Sequence, residues 1–303
     1  MSKVLILIST YNGKDKILKQ IDSILLQNNV DISVCIRDDG SDEETIDILK
    51  ELLKKHGDKI SVLYGKNIGW KQSFLELVYT AEGDFDYYGF SDQDDIWLSD
   101  KVTNCIHRAE WDKFVGPKLI HCNSLSVTPA LEKRSEQEHR ISEPQSYKSA
   151  IATEYFQGCG MLWNRDAMRL IQSYRPLNKN LAHDYWVGLV CYLFGKVYFC
   201  EEPQFYHIRY ENNSSEDGNK KKGRLKRLRT LVFGKDAYMN PAQDILRGYS
   251  EVLVEEKKTF LKKIVHYKSN FLYKMQLIFD RDFVRPSLSA TVLMKLAVLV
   301  NKF

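Results

Sequence analysis

Near the start of the chain stands Val4-Leu5-Ile6-Leu7-Ile8-Ser9-Thr10-Tyr11-Asn12, five apolar residues that run straight into four polar ones. An unbroken apolar run of this length reads as a strand buried on both faces, the kind found in parallel sheets. Working outward, residues 14–28 place Ile17, Leu18, Ile21, Ile24 and Leu25 on one helical face. Ile32–Ile36 is a second strand. The spacing then predicts a helix with Ser41 as N-cap and Glu44 reaching back to it, burying Ile46, Leu49, Leu52 and Leu53. Ile60–Tyr64 is a third strand. Residues 70–82 are a third helix with Phe74, Leu77, Val78 and Ala81 inward, and Asp86–Phe90 and Lys118–Cys122 are further strands. Strand and helix in strict alternation imply a mostly parallel sheet covered by helices. In such a sheet ligands gather at the carboxyl ends of the strands.

Those ends carry the least structural-looking residues: Ser9-Thr10-Tyr11-Asn12, Arg37-Asp38-Asp39-Gly40 and Ser91-Asp92-Gln93-Asp94-Asp95. Asp38 and Asp39 can accept hydrogen bonds from a base or ribose, and equally suit a turn that caps the next helix. Three carboxylates within four residues repel one another unless a cation sits among them. Oxygen ligands beside a phosphate substrate suit Mg²⁺ or Mn²⁺. The bland alternative is an acidic loop before a helix starting at Ile96-Trp97, but a helix N-terminus accounts for one carboxylate rather than three. No G-x-G-x-x-G and no G-x-x-x-x-G-K-[ST] occurs, which argues against dehydrogenases and P-loop NTPases. A metal-neutralised diphosphate on a nucleotide-binding sheet without a glycine fingerprint points to nucleotide-sugar chemistry.

The rest of the 303 residues narrows the class. Six cysteines never fall at C-x-x-C spacing, so zinc ribbons and thioredoxin-type motifs are not indicated and the thiols read as reduced and buried. No run approaches the roughly 18 apolar residues that span a bilayer, and the first apolar run is too short for a signal peptide, so a cytosolic protein is expected. The net charge of +4 conceals two regions: residues 1–219 hold 25 basic and 33 acidic residues, residues 220–303 hold 19 and 7. Residues 128–150 read as a polar loop or lid, Lys196–Phe199 as another strand, and Glu211–Lys222 as a polar break. These features predict a domain over 1–215 and a basic, mainly helical region over 216–303.

The ordered set Ser9-Thr10-Tyr11-Asn12-Gly13, Arg37-Asp38-Asp39-Gly40-Ser41, Asn67-Ile68-Gly69, Ser91-Asp92-Gln93-Asp94-Asp95-Ile96-Trp97, Gly158-Cys159-Gly160-Met161-Leu162-Trp163-Asn164-Arg165 and His183-Asp184-Tyr185-Trp186 resembles family 2 glycosyltransferases of the GT-A fold. The likeness covers about residues 3–215, and its D-Q-D-D-I-W form is most similar to bacterial rhamnosyltransferases of cell-wall and capsule polysaccharide assembly. The resemblance implies a Rossmann-like α/β domain, mostly parallel, with helices on both faces and a C-terminal helical extension. It implies that Thr10, Tyr11 and Asp39 hold a pyrimidine base with Asp38 beside them. Asp92 would meet the ribose or the metal, Asp94 would bind Mn²⁺ or Mg²⁺, Asp95 would support them, and Asp184 would be the catalytic base. An inverting transfer requires such a base, because an acceptor hydroxyl is a weak nucleophile until a carboxylate takes its proton. His183 stands where relatives often have Glu. Lys71, His207 and Arg209 are candidates for the diphosphate, and Trp70 and Trp186 for the acceptor.

Residues 220–235 hold eight Lys/Arg and no acid, with Leu225, Leu228, Leu231 and Val232 at helical spacing. A basic amphipathic helix reads as a membrane-surface element, and the apolar end of the chain, Leu288 to Val300, could pack on a neighbour or dip into lipid headgroups. The expectation is an enzyme peripheral on the inner face of the plasma membrane. It would move rhamnose from dTDP-rhamnose to a lipid-linked glycan acceptor. A UDP-hexose donor (galactosyl or glucosyl transfer) is the near alternative, and homo-oligomerisation is a further use for the tail. A nucleic-acid-binding role is opposed by the acidic body and the lack of any nucleic-acid motif. A non-catalytic role is opposed by the intact Asp92, Asp94 and Asp184.

Overall fold

A computed structural model describes residues 1–134, 146–210 and 238–303. The basic segment 220–235, the break at Glu211–Lys222 and residues 135–145 of the expected lid lie outside the described residues. Two compact units are present. The first comprises residues 1–134, 156–173 and 182–210, the second residues 146–155, 174–181 and 238–303. Two stretches that precede residue 215 thus belong to the second unit.

The first unit holds an eight-stranded sheet in the order β3-β2-β1-β4-β7-β6-β8-β5. Its strands are β1 (Ser2–Thr10), β2 (Val30–Asp38), β3 (Ile60–Tyr64), β4 (Tyr87–Ser91), β5 (Ile96–Trp97), β6 (Lys118–Val127), β7 (Met161–Asn164) and β8 (Lys196–Ile208). β1 pairs in parallel with β2 and β4, β2 with β3, and β6 with β8. β7 runs antiparallel to β4 and β6, and the short β5 antiparallel to β8. The helices are α1 (Asp15–Leu25), α2 (Glu43–His56), α3 (Trp70–Thr80), α4 (Lys101–Glu110), α6 (Arg165–Gln172) and α7 (His183–Phe194). Val4, Ile6 and Ile8 meet Ile17, Ile21, Ile24, Ile36 and Leu49 in a core of fully buried residues. Burying such side chains stabilises the fold by about 1.5–3 kcal/mol each.

Two local readings are corrected. Asp42, not Ser41, caps α2: its side chain accepts from Thr45 N at 3.0 Å. Ser41 Oγ instead accepts the amide of Asn12 at 3.0 Å, a long-range contact that no local spacing reveals. Ile96-Trp97 begins no helix. It is a two-residue strand on β8, and α4 starts at Lys101.

The second unit is helical: α5 (Tyr147–Ile151), α8 (Met239–Tyr249), α9 (Glu255–His266), α10 (Phe271–Phe279) and α11 (Leu288–Leu299). Asp244 of α8, 1 % exposed, accepts from Tyr174 Oη at 3.0 Å and from the amides of Leu177 and Asn178 at 3.2 Å. It thereby fastens the 174–181 segment. Lys148 pairs with Asp280 at 2.9 Å, which fastens α5.

Candidate active site

The carboxyl ends of β1, β2 and β4 lie side by side because the three strands are parallel neighbours. Each ends in one of the polar motifs. The loop after β1 is held in an unfavourable backbone form, with Asn12 at φ 50° and Lys14 at φ 47°. Side chains from two other motifs brace it. Thr10, fully buried, donates to Gln93 Oε1 at 2.7 Å, and the Tyr11 amide donates to the same oxygen at 3.0 Å. Asn12 Oδ1 accepts the Asp42 amide at 2.9 Å. Gln93 therefore ties the first motif to the carboxylate motif, a role that sequence reading did not give it. Its only signal was an amide set between carboxylates at a strand end. The Tyr11 ring is left half-exposed.

At the end of β2 the two aspartates differ. Asp39 accepts from Arg37 at 2.5 Å, from the Ile68 amide at 2.9 Å and from the Gly69 amide at 2.9 Å, and so holds the Asn67–Gly69 turn. Arg37 is buried, also reaching Ser73 Oγ and Lys66 O, so its charge is used inside the fold rather than on a phosphate. Asp38 accepts the Gly40 and Ser41 amides through Oδ2 at 3.1 Å, while its buried Oδ1 has no partner among the described residues. The open acceptor atom is thus on Asp38, and both oxygens of Asp39 are engaged. Gly40, at φ +81°, allows this turn: a Cβ there would lie 3.0 Å from Asn67 N.

At the end of β4, burial and the charges of Asp95 and Asp94 push the carboxyl of half-buried Asp92 up to about 7. Burial and Asp95 likewise raise Asp94, which pairs with Lys16 at 3.8 Å. Lys16 also lies 3.7 Å from the centre of the Tyr210 ring. Asp95 is 1 % exposed: Oδ1 is 2.8 Å from His207 Nδ1 and Oδ2 is buried without a described partner. Burial opposes charge on His207, but the Asp95 carboxylate outweighs it and raises its pKa. The ligand atoms of Asp95, Cys159 and His207 all lie within 4.8 Å of one another. Burial and the nearby Asp95 and Asp92 charges hold the Cys159 thiol well above its ordinary range, so it stays protonated. With the thiol protonated, what remains of that group is the Asp95 carboxylate, with its orphaned Oδ2, and the His207 imidazole. Asp92 and Asp94, the ligands expected from the sequence, are not part of it, and the carboxylate oxygen suits Mn²⁺ or Mg²⁺.

The same unit brings in the last motifs. Gly158–Gly160 forms a 3₁₀ turn whose Cys159 carbonyl accepts from buried Lys101 at 2.6 Å. That ammonium lies 3.2 Å from the centre of the Trp97 ring, a cation–π placement in a site that lowers its pKa by burial. A Cβ on Gly158 would lie 2.7 Å from His183 Nε2, so only glycine lets the turn approach the start of α7. His183 is buried, stacked 4.1 Å from Phe74 and edge-on 5.7 Å from Trp70. Burial pushes its pKa down to about 3, so it is neutral. Asp184 is half-buried in the first turn of α7, where the helix N-terminus favours a carboxylate, and its Oδ1 accepts the Tyr185 amide at 2.7 Å.

Trp70 is 54 % exposed, with Lys71 5.4 Å from its ring centre, and is open to a ligand. Trp186 is not. It is fully buried with its indole N–H on Tyr79 Oη at 3.1 Å, so it is core and not an acceptor wall. His207 joins the carboxylates, whereas the Arg209 amide continues the β6 pairing by donating to Val127 O.

Comparison with known proteins agrees with this arrangement. Residues 5–171 match the family described as Glycosyl transferase family 2. The chain is 28 % identical over 229 residues to the dTDP-rhamnosyl transferase RfbG of Shigella flexneri, covering 73 % of this chain and 77 % of that one. Over 114 residues it is 34 % identical to the UDP-Glc:alpha-D-GlcNAc-diphosphoundecaprenol beta-1,3-glucosyltransferase WfaP of Escherichia coli, covering 37 % and 43 %. The crystal structure of S. aureus TarS 1-349 in complex with UDP-GlcNAc shares the fold at a TM-score of 0.58 and 15 % identity, covering 99 % of this chain and 80 % of that one. The mixed sheet is that of the GT-A fold, and the chain is a member of glycosyltransferase family 2.

Proposed function

We propose that this glycosyltransferase is a metal-dependent, inverting enzyme that moves rhamnose from dTDP-rhamnose to a glycan acceptor in bacterial polysaccharide synthesis. The observation that carries the donor is the similarity to the Shigella flexneri rhamnosyl transferase, which extends over most of both chains. In this reading the base lies against Tyr11, with Asp38 Oδ1 as the acceptor for its imide N–H. Asp92, Asp94 and Asp95, with His207, would hold Mn²⁺ or Mg²⁺, which when bound neutralises charge on the departing diphosphate. Lys71 and Arg209 are further candidates for the diphosphate. Asp184 takes the proton from the acceptor hydroxyl as its oxygen bonds to the anomeric carbon. The bond from that carbon to the diphosphate oxygen breaks, and the electron pair leaves with the nucleotide. Residues 1–215 supply this chemistry, and the basic region beyond them holds the protein at an anionic membrane beside a lipid-linked acceptor. A UDP-hexose donor is favoured by one observation, the likeness of part of the chain to the Escherichia coli glucosyltransferase.

Calorimetry of the protein with Mn²⁺ and dTDP-rhamnose, UDP-galactose, UDP-glucose or UDP-N-acetylglucosamine separates these readings. The expected result is tightest binding of dTDP-rhamnose, lost with EDTA. Preference for a UDP-sugar would replace the donor, and binding indifferent to EDTA would remove the metal.

A further inference from the structure

The second unit presents an apolar face. Along α11, Leu288, Val292, Leu296 and Leu299 recur at intervals of four, four and three residues, the spacing of one helical stripe. All four are exposed, from 49 to 81 %. The opposite side of the helix is already used: Met294, Ala297 and Val298 are buried, and Lys295 donates inward to Leu277 O at 2.5 Å and Asp280 O at 2.9 Å. Neighbouring α10 adds Phe271 and Phe279, each at least three-quarters exposed. A continuous outward stripe differs from the single exposed apolar residues common on protein surfaces.

Charge selects its partner. Neither α10 nor α11 contains an acid, and none occurs from residue 283 to the last residue. Arg281, between Asp280 and the exposed Asp282, precedes α11, and the exposed Lys302 follows it, beyond a stretch that holds Lys295 and no acid. The basic run at 220–235 joins this unit at Tyr238 in the sequence. Twelve residues span about 18 Å, short of the roughly 30 Å hydrocarbon layer, and no described helix is long and apolar enough to cross a membrane. We infer that α11 lies in the plane of an anionic lipid surface, its Leu288–Leu299 stripe among the acyl chains and Arg281 and Lys302 at the headgroups. The inference refines the proposed membrane association and is independent of the donor.

Full-length protein is tested with vesicles of phosphatidylcholine, with and without phosphatidylglycerol. A Leu296→Trp variant reports on the stripe itself, through its difference spectrum against wild type. We expect a blue shift, and quenching by brominated lipid, only when phosphatidylglycerol is present. Val292→Glu with Leu296→Glu should weaken vesicle binding at least about tenfold, while melting temperature and nucleotide-sugar binding stay as in wild type. Binding to vesicles without a blue shift would overturn the inference in favour of the basic segment alone. Failure to bind at all would also overturn it. So would a dimer in light scattering that the double substitution splits, since the stripe would then face a second copy. Nucleotide-sugar calorimetry on the same samples keeps failure of this surface distinct from failure of the proposed reaction.

Discussion

Helices α7 and α11 have the same length and the same number of apolar residues, yet opposite fates. Each has twelve residues, mostly apolar around its whole circumference. Nine residues of α7 are buried, including Trp186, Leu189 and Val190, whereas three of α11 are. α7 packs beside α3 and α6 and against β6 and β8, and its first turn carries His183 and Asp184. α11 packs on α10 and turns its other side outward. The difference teaches that apolar content measures how much surface a helix must hide, not what hides it. In the first unit the sheet and its helices do so, and the rigid helix start they create can hold a carboxylate in place. In the second unit the Leu288–Leu299 stripe is left exposed among the described residues.

The largest effect is expected at the start of the buried helix. Asp184→Asn should lower transfer about 10²–10⁴-fold, the usual worth of a general base, with nucleotide-sugar affinity retained by calorimetry. Turnover near wild type would separate the buried helix from the chemistry. Next comes the same truncation made in both helices. Leu189→Ala in α7 should cost about 2–5 kcal/mol in denaturant melts. Leu296→Ala, half-exposed in α11, should cost less than about 1 kcal/mol because little transfer energy and no cavity are involved. Equal losses would mean that Leu296 is as deeply buried in solution as Leu189. Between these two lies Asp244→Asn, which leaves three donors short of a charged acceptor and should cost about 2 kcal/mol.

The smallest effect is a pH dependence. Burial lowers Lys295 from 10.5 to about 8. Between those values the unfolded chain binds the proton that the folded chain has released, so stability rises as pH increases from about 8 to 10.5. Lys295→Met should lose that rise while leaving the rest of the profile unchanged.

Several motifs of the candidate site were legible because they sit at strand ends. The run Val4–Ile8 could only be a strand buried on both sides, and a parallel sheet gathers the residues that follow its strands. Asp92, Asp94 and Asp95 stood out for that reason, as more charges than one helix N-terminus accounts for, whereas Asp184 was singled out only by the family resemblance. Pairwise partners were not legible. Asp38 and Asp39 are adjacent and chemically alike, and the tertiary position of Arg37 and of the Ile68 and Gly69 amides engages one and leaves an oxygen of the other open. Trp186 read as an acceptor contact because it lies beside a motif, but helical geometry turns it inward toward Tyr79. Ser41 had the pattern of a cap, and a residue 29 positions earlier took its hydroxyl.

By itself, then, the sequence determined the alternation of strands and helices, the parallel core and the motifs at its edge, because side-chain periodicity and turn chemistry are local. It also determined the charge contrast between body and tail. Only the tertiary structure decided which carboxylate keeps a free oxygen, that Gln93 joins two motifs, that Asp95 meets His207, and that one face of α11 stays uncovered. Those outcomes depend on groups far apart in the chain competing for the same hydrogen bonds and the same buried space, and that competition is settled only when the whole fold closes.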